Sequence, residues 1–295
     1  MGPKGTPGPG ISRVLSNYLL YSRPVTPTSN RLDLSTLVSI SLPAFALEPF
    51  VHEFLGHACT AWLQGAKVIL VSSTAMQTEG GTRLVPAAGP LSNLVFGALT
   101  VLLLRRMPRL TPLRYFVWIF ALANLFLCFG YVLFSGLTNF GDSAVVIAGL
   151  RPAWLFRLSL VVFGYFGYRY SVGFAVRDLL SLIRSGNLLR SDVARLAIPA
   201  CTAGGILYFV ASLFNPVDPK LILYDGLPMA GGIAIGFCLI PGLVKKFSAS
   251  ASSSPPASES SSPALAALPF SPAWLMFAVF SSAAFLYFLG RGFRP

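Results

Sequence analysis

Long apolar stretches, each about the length of a bilayer crossing, dominate the sequence and restrict what the chain can fold into. A membrane-spanning helix needs roughly 20 apolar residues. Seven stretches qualify: 34–64, 86–104, 113–137, 153–175, 196–214, 222–244 and 268–290. Only 11% of the residues are charged and 54% are hydrophobic, whereas soluble domains carry about 25% charged residues. The composition therefore excludes a soluble globule and predicts an all-α polytopic membrane protein with about seven transmembrane helices.

Basic residues gather in the connections between these stretches and predict the orientation of the chain. They are Lys4, Arg13, Arg23, Arg31, Arg105, Arg106, Arg109, Arg114, Arg177, Arg184, Arg190, Arg195, Lys245 and Lys246. The positive-inside rule can place them all in the cytoplasm only if the N-terminus is cytoplasmic. The seventh helix then ends outside, where Arg291 and Arg294 disagree mildly. The net charge of +12 thus reflects membrane topology, and nucleic acid is not an expected partner.

Composition also divides the chain into parts. Residues 1–33 are predicted to be a disordered basic cytoplasmic tail without a transit-like pattern, which favours a bacterial inner membrane. Residues 151–246 add transmembrane helices beyond the first three, and 247–265 form a Ser/Pro-rich linker. Because this linker has no apolar face to bury, the last helix, in 266–295, is expected to be loosely tethered and dispensable to the core.

A short segment between the first two stretches has the pattern of a β-hairpin. Lys67–Ser72 is predicted to be a strand, Gly80 and Gly81 a turn, and Thr82–Val85 a second strand. Such a hairpin could offer a free edge to an extended peptide. An ordinary extracytoplasmic loop is the alternative.

Ionisable residues inside the apolar stretches mark the candidate site. Both histidines of the chain, His52 and His57, lie in EPFVHEFLGHACTAWLQG together with Glu48 and Glu53, and Asp142 follows in a later stretch. Ionisable groups at membrane depth are costly and usually face a protein interior or cavity. Two imidazoles and one carboxylate form a typical three-ligand set for catalytic zinc, and a further acid can accept a proton from water. Glu48, next to a proline, is interpreted as a structural group or as a group that supports a ligand, and not as a ligand itself.

The spacing of the two histidines differs from that of the common zinc motif His-Glu-x-x-His. Histidines four residues apart lie about 40° apart around an α-helix, whereas a separation of five gives about 140°. A π-type turn at Gly56 would absorb the extra residue and is the favoured explanation. In the alternative register, Glu53 and His57 face the metal and His52 lies to one side.

Three segments resemble a known family in their order and motifs. HEFLGHACTAWLQGAKV is similar to the His-Glu-Leu-Gly-His-Ala segment, with its trailing Gly-x-x-Val, of the site-2 proteases, with one residue inserted. PAAGPLSNLVFGAL resembles the family's Gly-Pro-x-x-Asn segment, and TNFGDSAVV occupies the place of its Asp-Gly segment, with Ser143 replacing the glycine. The resemblance covers residues 34–150, which it makes a metalloprotease-like membrane core.

The resemblance implies an intramembrane zinc metalloprotease that acts on a segment of a membrane protein. It implies that His52, His57 and Asp142 bind Zn²⁺, that Glu53 activates water, and that Asn93 contacts the substrate backbone or the oxyanion. Two alternatives for individual residues stay open: Asp142 could only cap a helix, and Asn93 could only bridge helices.

Two alternative functions also stay open. The first is a catalytically inactive pseudoprotease that serves as a membrane binding or scaffold protein. The second is an ion- or proton-coupled transporter, although no internal repeat of the kind that many transporters have is visible.

Overall fold

Helices form most of the computed structural model, which describes residues 31–217, 227–250 and 265–295. The α-helices are α1 Leu34–Pro49, α2 Cys59–Leu63, α3 Leu84–Leu104, α4 Pro112–Thr138, α5 Asp142–Ile147, α6 Ala153–Arg184, α7 Val193–Leu213, α8 Leu227–Ser250 and α9 Pro272–Phe285. A π-helix, Phe50–Ala58, joins α1 to α2, and a second one, Leu286–Gly290, follows α9. One antiparallel hairpin, β1 Lys67–Val71 and β2 Met76–Glu79, lies between α2 and α3.

Six helices in the described residues are long and apolar enough to cross a membrane. They are Leu34–Leu63, Leu84–Leu104, Pro112–Thr138, Arg190–Leu213, Ala230–Ser248 and Pro272–Gly290. The all-α polytopic architecture with a small hairpin is therefore confirmed, and the chain has the character of a multi-pass integral membrane protein.

The seventh expected span, 153–175, forms as part of α6 but is less apolar than the six. Arg157 and Arg169 lie within it. Nevertheless α6 runs antiparallel to α4 along the bundle. At one end the Arg157 guanidinium donates to the Leu137 carbonyl (2.7 Å), and at the other Arg114 and Asp178 form a buried ion pair (2.8 Å).

The basic connections lie together at one end of the bundle. The Arg114–Asp178 pair joins the connection before α4 to the end of α6, and Arg190 donates to the Lys245 carbonyl at the end of α8. The hairpin and α5 lie at the opposite end, where Arg83 donates to the Ala148 carbonyl (2.6 Å). Arg83 shows that basic residues are not confined to the first end. The grouping of the basic connections there agrees with the positive-inside rule, whereas the direction of insertion stays a prediction.

The hairpin is present, but its second strand and turn are not where the sequence placed them. Strand β2 is Met76–Glu79, and residues 84–85 already belong to α3. The turn lies at 72–75, because the Ser72 hydroxyl donates to the Ala75 carbonyl (2.8 Å) and accepts from the Ala75 amide (3.0 Å). Gly80 and Gly81, both with positive φ, lead from the hairpin into α3.

The last helix is packed against the first one, contrary to the expectation of a loose tether. Leu32 pairs with Leu268 in an isolated β-bridge. The Thr36 hydroxyl donates to the Pro269 carbonyl (3.0 Å) and accepts from the Ser271 amide (3.0 Å). Residues of α1, α4 and α6–α9 share one continuous apolar core, so the C-terminal helix is part of the fold.

Two other boundaries also differ from the expectation. Helix α8 extends to Ser250, so residues 247–250 of the expected linker are helical. The expected tail 1–33 lies outside the described residues except for its last three positions, and the central part of the linker lies outside them as well.

The chain end beyond α9 pairs with the hairpin. The amide of Val71 donates to the Phe293 carbonyl (2.8 Å), and the Phe293 amide donates to the Val71 carbonyl (2.7 Å). An exchange of both bonds defines a hydrogen-bonded antiparallel pair, with Cα atoms about 5.5 Å apart. The outer edge of β1 is therefore covered by the C-terminal segment.

A disulfide can test this pairing, because about 5.5 Å lies within the range that disulfides bridge. Cys59 and Cys238, the two cysteines that are not buried, are first replaced by Ser. Val71→Cys with Phe293→Cys should then cross-link on mild oxidation and change mobility in a non-reducing gel. The control pair, Lys67→Cys with Phe293→Cys, lies about 13 Å further along β1 and should not. Equal cross-linking of both pairs would contradict the docking of the C-terminus.

Candidate metal centre

The two histidines are brought to one face by the π-helix Phe50–Ala58. Its i to i+5 hydrogen bonds place residues five apart above one another, so the inserted residue is absorbed as expected. The imidazole Nε2 atoms of His52 and His57 lie 3.2 Å apart. The register in which His52 lies to one side is therefore not the one that the structure adopts.

The change of helix type follows a proline. Helix α1 contains both Pro43 and Pro49 and is continuous between them. Pro49 is the last residue of α1 and immediately precedes the π-helix. Since proline has no N–H to donate to the preceding turn, the α-helical hydrogen-bond pattern is already interrupted at this point.

Two glycines allow the π-helix and α3 to approach at the site. A Cβ atom on Gly56 would lie 2.7 Å from the Gly89 Cα, closer than atoms can pack. A Cβ atom on Gly89 would lie 2.4 Å from Nε2 of His57 and 2.7 Å from Nε2 of His52. The absence of both side chains is therefore what leaves room for the two imidazoles.

Each imidazole is oriented by a hydrogen bond to its other nitrogen. Nδ1 of His57 lies 2.7 Å from the Val85 carbonyl oxygen, which can only accept. Nδ1 of His52 lies 2.8 Å from Oδ1 of Asn93. With Nδ1 as the donor in both rings, both Nε2 lone pairs point to the same place, as in metal-binding histidines.

Asp142 completes the group from a turn between α4 and α5. Asn139 adopts a left-handed conformation at the end of α4, and Gly141 has a φ of 85°. The turn directs the Asp142 carboxylate toward the histidines, and Oδ2 lies 3.1 Å from Nε2 of His52 and 3.2 Å from Nε2 of His57. The N-cap of α5 is Gly141, so Asp142 does not act as the cap.

The three converging atoms have the dimensions of a metal site. His52, His57 and Asp142 form a group that could hold a metal ion. Ligands bound at 2.0–2.1 Å in a tetrahedral geometry lie about 3.3 Å from one another, close to the observed 3.1–3.2 Å. Two nitrogen lone pairs and a carboxylate oxygen repel each other at this distance unless a cation or a proton lies between them. The donor set therefore fits a divalent metal.

The group opens into a cavity of about 230 Å³ at the hairpin end of the bundle. Its walls include Glu53, which is 4% exposed, and Tyr131 and Val145. Thr74, Ala75, Met76 and Thr78 of the hairpin close the opposite side. The ligand group is thus reached through a pocket of mixed polar and apolar lining between the helices and the hairpin.

Asn93 and Glu48 lie behind the histidines and not in the cavity wall. Both are fully buried. The Asn93 amide uses Oδ1 for His52 and Nδ2 for Glu48. Asn93 thus contacts His52 on the side away from the cavity, and its contact with a substrate stays a prediction. Glu48 contacts Asn93 and is not one of the three converging ligands.

Two tyrosines near the site were missed by sequence reasoning. The Tyr131 ring packs edge-on against His52, with ring centroids 6.3 Å apart, and Tyr208 contacts Glu48. Both lie in long apolar helices, where tyrosine also occurs as an interface residue, so no motif distinguished them.

Comparisons with known proteins do not extend the assignment. No protein-family model matches the chain, and searches of curated proteins and of solved structures find no match either. The resemblance to site-2 proteases therefore rests on the three motif segments, and membership of that family stays a prediction.

Metal content is the first testable consequence of this geometry. Detergent-purified protein should bind about one divalent metal ion per chain, because three ligand atoms meet at one point. His52→Ala, His57→Ala and Asp142→Ala should each lose it, measured by elemental analysis beside the wild type. Retention by His52→Ala would instead support the register in which Glu53 and His57 bind.

Gly89 provides a second and independent test. Gly89→Ala places a methyl group where the ligand atoms converge, so metal binding should be abolished without the removal of any ligand. Gly205→Ala is the control, since a Cβ there meets nothing within 4 Å. Wild-type metal content in a folded Gly89→Ala variant would show that the metal is held elsewhere.

Proposed function

We propose that this protein is a zinc-dependent membrane metalloendopeptidase that hydrolyses peptide bonds in membrane-embedded substrates. The observation that carries the proposal is the convergence of His52, His57 and Asp142 on one point, with Glu53 in the same small cavity. Two imidazoles and one carboxylate leave a coordination position for water, which is the arrangement of catalytic zinc sites.

Zinc is proposed because the donor set is two nitrogens and one carboxylate oxygen, with near-tetrahedral spacing. Oxygen-rich sites are preferred by Mg²⁺ and Ca²⁺, whereas imidazole suits zinc. A bound Zn²⁺ would polarise the scissile carbonyl and lower the pKa of a water molecule in the cavity.

Glu53 is assigned the role of general base and acid. It follows His52 directly in the π-helix and lines the cavity. Its carboxylate accepts a proton from the attacking water and then delivers that proton to the nitrogen of the leaving amine. Burial of Glu53 limits exchange of this proton with bulk water.

The hairpin is assigned the role of a substrate platform. Strand β1 is covered by Phe293 on one side and paired with β2 on the other. Within the described residues β2 pairs with β1 alone, and Met76 and Thr78 of β2 line the cavity. A substrate helix that unwinds could add to this edge as an extended strand, which presents its peptide bond to Glu53.

Orientation follows from the charge at the two ends of the bundle. The end with the basic connections is proposed to be cytoplasmic. The cavity and hairpin then face the opposite side of the membrane. Substrates would be cleaved near their extracytoplasmic end.

Glu53→Gln tests the chemistry while it preserves side-chain size and metal ligands. In liposomes with a substrate that carries one helix rich in Gly and Pro, the wild type should release fragments visible by mass spectrometry. Glu53→Gln should slow cleavage by about 10²–10⁴-fold, as expected for loss of a general base, and keep its metal. Asp33→Asn, at the N-cap of α1 and away from the site, keeps a capping oxygen and should cleave like the wild type.

Three results would speak against the proposal. Equal cleavage by Glu53→Gln and the wild type would remove the assigned base. A wild type that holds metal and cleaves neither this substrate nor unstructured apolar peptides would favour a pseudoprotease, and metal uptake into the liposomes would favour a transporter.

A further inference from the structure

A chain of three buried polar side chains lies directly behind His52. Glu48 and Asn93 are fully buried, and Tyr208 is 5% exposed. Asn93 Nδ2 donates to Oε1 of Glu48, and the Tyr208 hydroxyl donates to Oε2 of Glu48 (2.7 Å). The other end of the chain is the contact between Asn93 Oδ1 and His52 Nδ1 (2.8 Å). The residues come from α1, α3 and α7, so three helices meet at this point.

We propose that Glu48, Asn93 and Tyr208 are positioning residues that fix the tautomer and orientation of His52 for metal binding. This inference rests on the metal centre of the proposed function but not on peptide hydrolysis. It also assigns a role in the site to α7, which lies outside the segments that resemble a known family.

The direction of the hydrogen bonds is set by the carboxylate. Both oxygens of Glu48 accept hydrogen bonds, one from Tyr208 and one from Asn93. Asn93 must therefore turn its NH₂ group toward Glu48 and its carbonyl oxygen toward His52. A carbonyl oxygen can only accept, so His52 must carry its proton on Nδ1. The Nε2 lone pair is then available at the site, as ligating histidines require.

His57 provides a comparison within the same site. Its Nδ1 lies 2.7 Å from the backbone carbonyl of Val85, which is an acceptor whatever the neighbouring side chains are. Only His52 depends on a side chain that could turn over, since an amide can present either its oxygen or its nitrogen. Changes in the chain should therefore act on His52 and leave His57 unaffected.

A purely structural role would not require this composition. Ionisable groups at membrane depth are costly, and well-packed apolar residues often stabilise a fold as well as buried polar ones do. Metal-binding histidines usually donate their other ring N–H to an oxygen acceptor, which is what the Asn93 carbonyl offers to His52.

Histidine-selective ¹⁵N NMR of the full-length, metal-free protein tests the tautomer directly, because the chain has only two histidines. The single-histidine variant His57→Gln assigns the signals. In the wild type, the Nδ1 signal of His52 should be that of a protonated nitrogen. In Asn93→Leu, the Nδ1 signal of His52 should no longer be that of a protonated nitrogen, while the signals of His57 should be unchanged. An unprotonated Nδ1 in wild-type His52 would overturn the inference.

Titration with Co²⁺ after removal of bound metal provides the second measurement. Asn93→Leu and Glu48→Met should weaken Co²⁺ binding about 10–100-fold and change its visible spectrum, as loss of outer-shell partners does. Glu48→Gln should restore most of the affinity, since its carbonyl can still accept from Asn93 while its amide donates to Tyr208. Tyr208→Phe removes only a hydroxyl group and is the variant most certain to fold. It should lose less Co²⁺ affinity than Asn93→Leu or Glu48→Met.

Tyr115→Phe is the matched control, because Tyr115 is a buried tyrosine that donates to the Leu196 carbonyl (2.7 Å) away from the site. It should bind Co²⁺ like the wild type. If folded Asn93→Leu and Glu48→Met bound Co²⁺ with wild-type affinity and spectrum, the inference would be overturned and the metal centre would not. If the wild type itself did not bind Co²⁺, the metal centre would be overturned. The two failures can therefore be told apart.

Discussion

The approach of Gly56 to Gly89 is the contact on which the rest of the site depends. A side chain at either position would separate the π-helix from α3 or fill the space where the ligand atoms meet. With both absent, the helices come close enough for Val85 and Asn93 of α3 to orient the two histidines. On an α-helix, histidines five residues apart would lie on different faces. The π-helix places them on the same face.

The membrane makes this precision necessary. In an apolar medium an unpaired polar group is costly, and four ionisable residues of the site have polar partners close by. His52, His57 and Asp142 face each other, and Glu48 is held by Asn93 and Tyr208. Tyr208 belongs to α7, and Phe45 of α1 packs edge-on against its ring (5.8 Å between centroids). The C-terminal half of the chain is therefore part of the scaffold that holds the candidate centre.

The two edges of the hairpin have different surroundings, and only the edge of β2 lies at the cavity. Phe293 covers β1, and the Asn215 side chain donates to Thr74 at the turn (2.5 Å). These contacts tie the hairpin to the last helix and to the end of α7. Strand β2 faces the cavity with Met76 and Thr78. The strand with the open edge therefore lines the same cavity as Glu53 and the ligand group.

The sequence by itself determined the fold class, because apolar stretches of bilayer length leave a chain few options other than helices that span it. It also indicated His52 and His57 as candidate ligands and favoured a π-type distortion, since both histidines and the glycine between them lie in one segment. The structure decided between the two possible registers. Tertiary structure alone decided the hairpin turn, which depends on the hydrogen bonds of Ser72, and the docking of the C-terminal helix on Thr36. It also decided that Asn93 lies behind His52 and that Tyr208 supports Glu48. These contacts join residues far apart in the chain, and no local pattern encodes which polar groups will meet once the helices pack.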